Sequence, residues 1–349
     1  MSGPGGGLFV GVDIGGTSVE AVVADTGNRV VRTGAAPTDA TSGELVLASA
    51  INAIRYVMPG DADGIQGIGI GVPGQVDVET GVVRLAMNLN IGDGGFPIGR
   101  LIAREFGLHT TVENDVRAAA VGAYESLQSD HLALHVLAFL SIGTGISAGF
   151  VIDGRLHRGR DGMSGEIGHV VVADDGPECR CGLRGCLEAV AAGPAIRRMW
   201  AGGERRPAED LFRAAAGGDP EAIRVAGVVS GYLARAVQWL ALAYGADLVV
   251  LGGGVGAMGE PLLSAVRARL AGWGDRSPLA RRLLPPERVV AMPAGFPTGA
   301  IGAAAVARNR LAGAGEEVVT RIHSTEEGSS MDDGPHAPKA VGPKGGSKW

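Results

Sequence analysis

Apolar positions along the chain come first in short β-branched blocks, and only later at helical spacing. LFVGVDIGGTSVEAVVADTGNRVVRTG (residues 8–34) reads as strands joined by a glycine turn at Gly15 and Gly16 and a second turn at Thr26 to Asn28, which predicts an antiparallel meander. The period then lengthens in TSGELVLASAINAIRYVMPG (41–60), a helix expected to open on a Thr41/Glu44 capping box and to stop at Pro59-Gly60. GIQGIGIGVPGQVDVETGVV (64–83) returns to strand and turn, and HTTVEND (109–115) is a strand that ends as the helix VRAAAVGAYESL (116–127) begins.

LALHVLAFLSIGTGISAGFVIDG (132–154) repeats the plan of residues 8–25: an apolar strand, a Gly/Thr turn, and an apolar strand that ends in Asp. Two halves opening on one hairpin imply a duplicated α/β unit with a cleft between its lobes. The helix 225–245, the strand DLVVLGGG (247–254), the helix 260–273 and the small-residue helix TGAIGAAAVARNRL (298–311) follow. The expected organisation is a first α/β lobe over 8–125, a second over 126–299, a helix over 300–312 packing back on the first lobe, and a disordered tail over 313–349, where Gly, Ser, Pro and charge dominate.

Composition narrows the classes. The 349 residues are 46% hydrophobic, enough for a large core, yet no apolar run reaches the ~18 residues of a membrane span. MSGPGGG has no charged or apolar leader pattern, so a soluble, cytoplasmic protein without membrane partners is expected. A net charge of −6 offers nucleic acid no general attraction, and the Arg pairs 197/198, 205/206 and 281/282 read as solvated helix faces. Fifty-nine glycines with 4% aromatics suggest a backbone that approaches its ligand closely, which points to phosphate.

No G-x-x-x-x-G-K-[ST] occurs, and GIGVPG (69–74) is followed by strand rather than the helix a dinucleotide fingerprint opens. LGGGVGA (251–257) has a strand before and a helix after, but too little chain follows for a dinucleotide fold. The paired turns DIGGT (13–17) and GTG (143–145) remain. Gly15, Gly16 and Thr17 on one side and Gly143, Thr144 and Gly145 on the other would present backbone N–H groups and hydroxyls to a triphosphate, with Asp13 placed to hold Mg²⁺ through water. Asn114 and Asp115, at a strand-to-helix junction, fit either a helix cap or a general base.

All three cysteines fall in GEIGHVVVADDGPECRCGLRGCLE (165–188). His169, Cys179, Cys181 and Cys186 form H-x9-C-x-C-x4-C, a complete tetrahedral set that suits a structural Zn²⁺; free thiols in a loop are the alternative. An odd count and a C-x-C pair argue against a disulfide. Closure on zinc would draw Glu166 and Glu188 together, where both can accept hydrogen bonds from a polyhydroxylated substrate.

From Leu8 to Leu311 these motifs resemble the ROK proteins (repressor, open reading frame, kinase) of the actin and sugar-kinase superfamily. DIGGT and GTG look like the family's two phosphate motifs, LGGGV (Gly252, Gly253, Gly254) like its adenosine motif, and G-E-I-G-H with C-x-C-G-x-x-G-C-x-E like its signature and zinc loop. The resemblance implies an α/β, two-lobed actin-like ATPase fold (ribonuclease H-like, duplicated) with an interlobe cleft and a zinc-binding loop. It also implies an ATP-dependent hexose kinase of the glucokinase type that acts with Mg²⁺ and forms a homodimer. Asp115 would then deprotonate the sugar 6-hydroxyl, with Asn90, Asn114, Glu166, His169 and Glu188 holding the other hydroxyls. Arg117 stands where the family's kinases commonly have Asn, Ser147 and Ala148 where two glycines are usual, and the segment 87–99 lacks a customary Trp. These departures keep an amino sugar of the 3-amino-3-deoxyglucose (kanosamine) type or a cyclitol open as substrate. A sugar-responsive repressor or a non-catalytic sugar-binding regulator are the remaining readings. The first needs a DNA-reading domain ahead of the first phosphate motif, where only seven residues precede Leu8.

Overall fold

The computed structural model describes residues 7–58, 60, 64–128, 134–203 and 206–313. Pro59, Arg205 and the tail from 314 lie outside the described residues.

The first half begins with the predicted meander: β1 (Leu8–Ile14), β2 (Ser18–Asp25) and β3 (Val30–Pro37), paired antiparallel in sequence order. Helix α1 (Gly43–Val57) follows, but its cap is Ser42, whose side chain accepts from the Leu45 N–H, while Thr41 donates its hydroxyl to Asp39. The capping-box expectation was therefore one residue early. Strand β4 (Ile65–Val72), the small hairpin β5 (Gln75–Asp77) and β6 (Val82–Arg84), α2 (Ile98–Phe106), β7 (His109–Asn114) and α3 (Asp115–Leu127) complete this half.

The second half runs β8 (Val136–Ile142), β9 (Ile146–Ile152), β10 (Arg155–His157), then α4 (Leu187–Ala191), α5 (Gly193–Met199), α6 (Pro207–Ala216) and α7 (Pro220–Tyr244). After these come β11 (Leu248–Gly252), α8 (Gly253–Gly256), α9 (Glu260–Arg276), α10 (Pro278–Leu283), β12 (Val289–Ala291) and α11 (Thr298–Leu311).

The duplication is explicit in the sheets. One has the order β3-β2-β1-β4-β7 and the other β10-β9-β8-β11-β12, each an antiparallel meander extended by two parallel strands. The central strands β1 and β8 are buried on both faces, as their nearly unbroken apolar sequences require. One face of the first sheet packs on α1 and α2 through Val46, Ile54, Ile98 and Ile102. One face of the second packs on α4 to α9, and α7 is its central helix. Among the described residues α7 alone is long and apolar enough to suit a membrane span, but Val225, Val229, Leu233, Val237 and Leu240 bury its apolar stripe in this core.

The two remaining sheet faces meet on α3 and α11. Phe9, Val22 and Ala24 of the first sheet pack against Ala300, Ile301, Ala304 and Ala307, while Phe139, Val151 and Val250 of the second sheet share a core with Ala120, Ala123 and Ala305. Backbones approach so closely here that side chains are excluded: a Cβ on Gly11 would lie 1.9 Å from the Ala300 carbonyl oxygen, and one on Gly302 would lie 1.7 Å from that of Ala118. The small-residue composition of α11 is thus a packing requirement, and the helix does return to the first sheet.

Candidate functional site

The hairpin turns of the two sheets face a common cleft of about 1450 Å³. Gly15 lines it from the first sheet and Gly143, Thr144 and Gly145 from the second, so the paired turns read from sequence are brought together. Gly16 lies just behind, with space for a Cβ only 3.4 Å from the Asn88 carbonyl oxygen, and Thr17 is exposed. The third glycine segment adjoins the second turn: a Cβ on Gly143 would lie 3.8 Å from the Gly254 nitrogen. Gly253 and Gly254 line the cleft, but Gly252 is buried against Phe139, where a Cβ would meet the ring at 2.1 Å. Gly252 is therefore a packing glycine, and the ligand-facing part of LGGGV starts one residue later.

Asp115 sits at the first position of α3 and lines the cleft. The helix cap is Asn114, whose Oδ1 accepts from the Val116 and Arg117 N–H groups and whose Nδ2 donates to the Gly74 carbonyl. The Asp115 carboxylate shares the Val116 N–H with that cap, Oδ1 accepting at 2.9 Å, and lines the cleft. Burial raises Asp115 to about 6, against the pull of the Val116 N–H and the Arg117 charge. Asp13 lies behind the first turn. A Cβ on Gly71 would fall 3.6 Å from Asp13 Oδ1 and 3.5 Å from the Asp115 Cα, so the two acids flank that glycine. Burial, reinforced by the Asp115 and Glu20 charges, raises Asp13 to about 8. Burial likewise raises Glu166, opposed by His169 and Arg117.

Glu166 and Glu188 both line the cleft. The segment between them folds into a knuckle held by backbone bonds, Cys179 N–H to Leu183 at 2.8 Å, Gly185 N–H to Pro177 at 2.8 Å and Leu187 N–H to Val170 at 2.9 Å. It brings His169, Cys179, Cys181 and Cys186 together, with all four ligand atoms within 4.8 Å of one another. The Cys181–Cys186 sulfur pair is 3.6 Å apart and Cys179 Sγ is 3.7 Å from His169 Nδ1. Those separations match the edges, about 3.8 Å, of a tetrahedron with ~2.3 Å Zn–S bonds, so the residues fit a four-coordinate ion. Glu188 links this cluster to the second turn: Oε1 lies 3.2 Å from Cys179 Sγ, while Oε2 occupies the space a Cβ on Gly145 would enter, 2.8 Å away. His169 turns Nδ1 into the cluster and remains partly exposed.

Asn90 is not in the cleft. It ends a short 3₁₀ turn (Met87–Leu89) in the left-handed conformation, φ 55°, and its amide donates to the Thr41 carbonyl at 2.7 Å. Asn88, two residues earlier, lines the cleft instead. Arg197, Arg198 and Arg206 also line it, so three of the arginines read as lying on solvated helix faces reach the cleft, whereas Arg281 and Arg282 are exposed on α10.

The sequence pattern that defines the ROK family matches residues 9–310. The chain is similar to a glucokinase of Thermotoga maritima, 32% identical over 87% of this chain and 98% of that protein. It is also similar to an N-acetylmannosamine kinase of Citrobacter koseri, 32% identical over 74% of this chain and 87% of the other. Among solved structures, a ROK family glucokinase from Streptomyces griseus in complex with glucose and AMPPNP superimposes with a TM-score of 0.71, at 28% identity over 87% of this chain and all of that one.

Proposed function

The chain belongs to the ROK family and is a sugar kinase, and from that premise we propose that it transfers the γ-phosphoryl group of MgATP to the 6-hydroxyl of glucose. The observation that carries the reading is the placement of Asp115, freed from capping by Asn114, in a cleft bounded by glycine turns from both sheets.

Little covalent chemistry is asked of the protein in such a transfer; position and charge neutralisation supply most of the rate. The Gly15 N–H is held by the Ser18 carbonyl and the Gly143 N–H by that of Gly145, so the remaining N–H groups of the two turns, with the Thr144 hydroxyl, receive the phosphates, and Gly253 and Gly254 receive the nucleoside end. Asp115 accepts the proton of the 6-hydroxyl as that oxygen attacks in line. Asn88, Glu166 and Glu188 approach from both sides of the cleft and accept or donate hydrogen bonds to the remaining hydroxyls, with Asn114 also lining it and His169 set beside Glu188, outside the cleft lining. Mg²⁺ bound with the nucleotide supplies positive charge to the phosphate oxygens, and Asp13 is the carboxylate nearest the first turn to hold its water shell. The Asp115 charge raises the Asp13 pKa, a cost that a cation beside Asp13 would offset. His169, Cys179, Cys181 and Cys186 would hold Zn²⁺, which would supply a cross-link within the loop that carries Glu188 to the cleft.

The kinship with an N-acetylmannosamine kinase supports a second acceptor class, the amino sugars, for the same residues. Purified protein incubated with MgATP and glucose, mannose, glucosamine, N-acetylmannosamine, 3-amino-3-deoxyglucose or a cyclitol separates these readings. Glucose is expected to give the highest sugar-dependent ADP release. Release with none of them refutes the kinase reading, and a clear preference for an amino sugar replaces glucose as the substrate.

A further inference from the structure

Beside the Asn114–Asp115 junction lies a buried charge cluster that the reaction as described does not use. Glu113, the penultimate residue of β7, has a side chain only 1% exposed, and it meets two arginines. Its Oε1 accepts from Arg117 Nε at 2.8 Å and from the Asn114 N–H at 2.9 Å; its Oε2 accepts from Arg158 Nε at 2.7 Å. Arg117 follows on α3, whereas Arg158 comes from the other half of the chain, just past β10.

Charge balance does not account for Arg158. Arg117, 4% exposed, already pairs with Glu113, and a second guanidinium on a neutralised carboxylate takes another charge out of water for a smaller gain. What Arg158 adds is a connection. It opens a loop without regular structure, residues 158–166, that carries Gly162, Met163 and Glu166 to the cleft. The loop closes on itself where the Ser164 N–H donates to the Arg158 carbonyl at 3.2 Å, and its far end is held to β9 where the Ala148 N–H donates to the Gly165 carbonyl at 2.7 Å. Both of those bonds lie within the second half. Two side-chain bonds cross to the first: Arg158 Nε to Glu113, and Arg117 Nη1 to the Gly162 carbonyl. Gly162 also comes close to β5, where a Cβ on it would lie 3.9 Å from the Val76 carbonyl oxygen. Arg158 is thus the cross-tie at the root of the loop. It is not among the residues that line the cleft, so it reaches a ligand only through the loop.

We propose that Arg158 is a positioning residue for the sugar: its bond to Glu113 ties the loop 158–166 of the second half to β7 of the first, and so sets where Met163 and Glu166 stand against the acceptor. This deepens the kinase reading above and rests on it. Asp115 and the glycine turns are held without Arg158. Asp115 is fixed by its place at the start of α3 and by the Asn114 cap, and each turn is closed by a backbone bond within its own hairpin. Loss of the tie should therefore weaken sugar binding and leave the chemical step and the nucleotide site as they were.

The test compares Arg158→Met and Arg158→Lys with the parent in the full-length protein. Methionine leaves Glu113 neutralised by Arg117, so the variant is expected to fold. Its KM for glucose should rise about tenfold, with kcat and the KM for ATP within about twofold of the parent, and lysine should restore most of the loss. Hydrogen exchange needs no turnover: in the methionine variant the amides of 158–166, Ser164 among them, should exchange faster, while the strands of both sheets keep their protection. A methionine variant that fails to fold, or one whose kcat and two KM values change together, overturns the proposal in favour of a general structural role. Unaltered exchange across the loop removes it outright, whatever the kinetics. If no sugar is phosphorylated the functional reading falls alone, and the exchange of the loop still decides whether Arg158 holds it.

Discussion

Replacing Asp115 by Asn is expected to abolish catalysis and, in the same protein, to raise stability. The carboxylate's pKa rises from 3.8 in the open chain to about 6 in the fold, chiefly through burial. Its folded value is the higher one, so the unfolded chain loses this proton first, and the folded state is penalised progressively above about pH 4 and fully above about pH 6. At 1.36 kcal/mol per pH unit the full penalty is about 3 kcal/mol, and roughly half of it is present at pH 5. Asparagine keeps the shape and carries no charge, so it removes this cost; it also relieves Asp13, which feels the Asp115 charge. For a chain of this size a gain of about 3 kcal/mol raises the melting temperature by roughly 5 °C. The assay is calorimetric melting of parent and variant, free of sugar and nucleotide, at pH 5 and pH 7.5, beside glucose-dependent ADP release. The stabilisation should be larger at pH 7.5, and kcat should fall by about 10² to 10⁴. A variant that melts below the parent at pH 7.5, or one that keeps kcat within tenfold, would refute the reasoning.

The reassignment of the asparagine gives a paired test: Asn88→Ala should raise the KM for glucose about tenfold or more with little change in the KM for ATP, while Asn90→Ala leaves both near their parent values. Equal effects of the two, or the reverse order, count against the geometry of the 3₁₀ turn. For the cysteine knuckle, metal analysis should find about one zinc per chain. Cys186→Ser should lose that zinc, melt lower, and raise the KM for glucose more than that for ATP, because Glu188 follows Cys186 by two residues. Fully active protein with far less than one zinc would remove the metal from this role.

The fold was legible wherever a local pattern has one solution. The meander of residues 8–34, the hairpin repeated within 132–154 and the strand-to-helix step at Asp115 all follow from alternation and turn residues, and the sheets bear them out. The four ligand-bearing residues of the knuckle were legible because their spacing is short. What failed needed knowledge of which way a side chain points. Asn88 and Asn90 differ by two positions, and only the conformation of the turn decides which one faces the cleft. Thr41 and Ser42 are equally good caps by composition, and the backbone selects Ser42. Arg197, Arg198 and Arg206 reach one cleft because α5 starts on the second turn, its Gly193 N–H bonded to the Gly143 carbonyl, and α6 packs beside α5, a tertiary fact that charge spacing does not encode. Glu113 and Arg117 stand at helical spacing, but their partner Arg158 lies 45 residues from Glu113. Arg117, read from the sequence as a departure bearing on the sugar and the donor geometry, is seen in the structure to bond Glu113 and the Gly162 carbonyl.

The return of α11 to the first sheet has a consequence for biosynthesis. Phe9, Val22 and Ala24, near the beginning of the chain, find their partners at Ala300, Ile301, Ala304 and Ala307, almost three hundred residues later. While the chain is being made, one face of its first sheet therefore has no cover of its own until nearly the last helix has been synthesised. A hairpin that forms early must wait with apolar side chains in water, the interval in which nascent chains aggregate or recruit chaperones. Gly11 and Gly69 of the first sheet, which let Ala300 and Ala303 come so close, wait for that helix too: the first lobe is the first to be translated and the last to be finished.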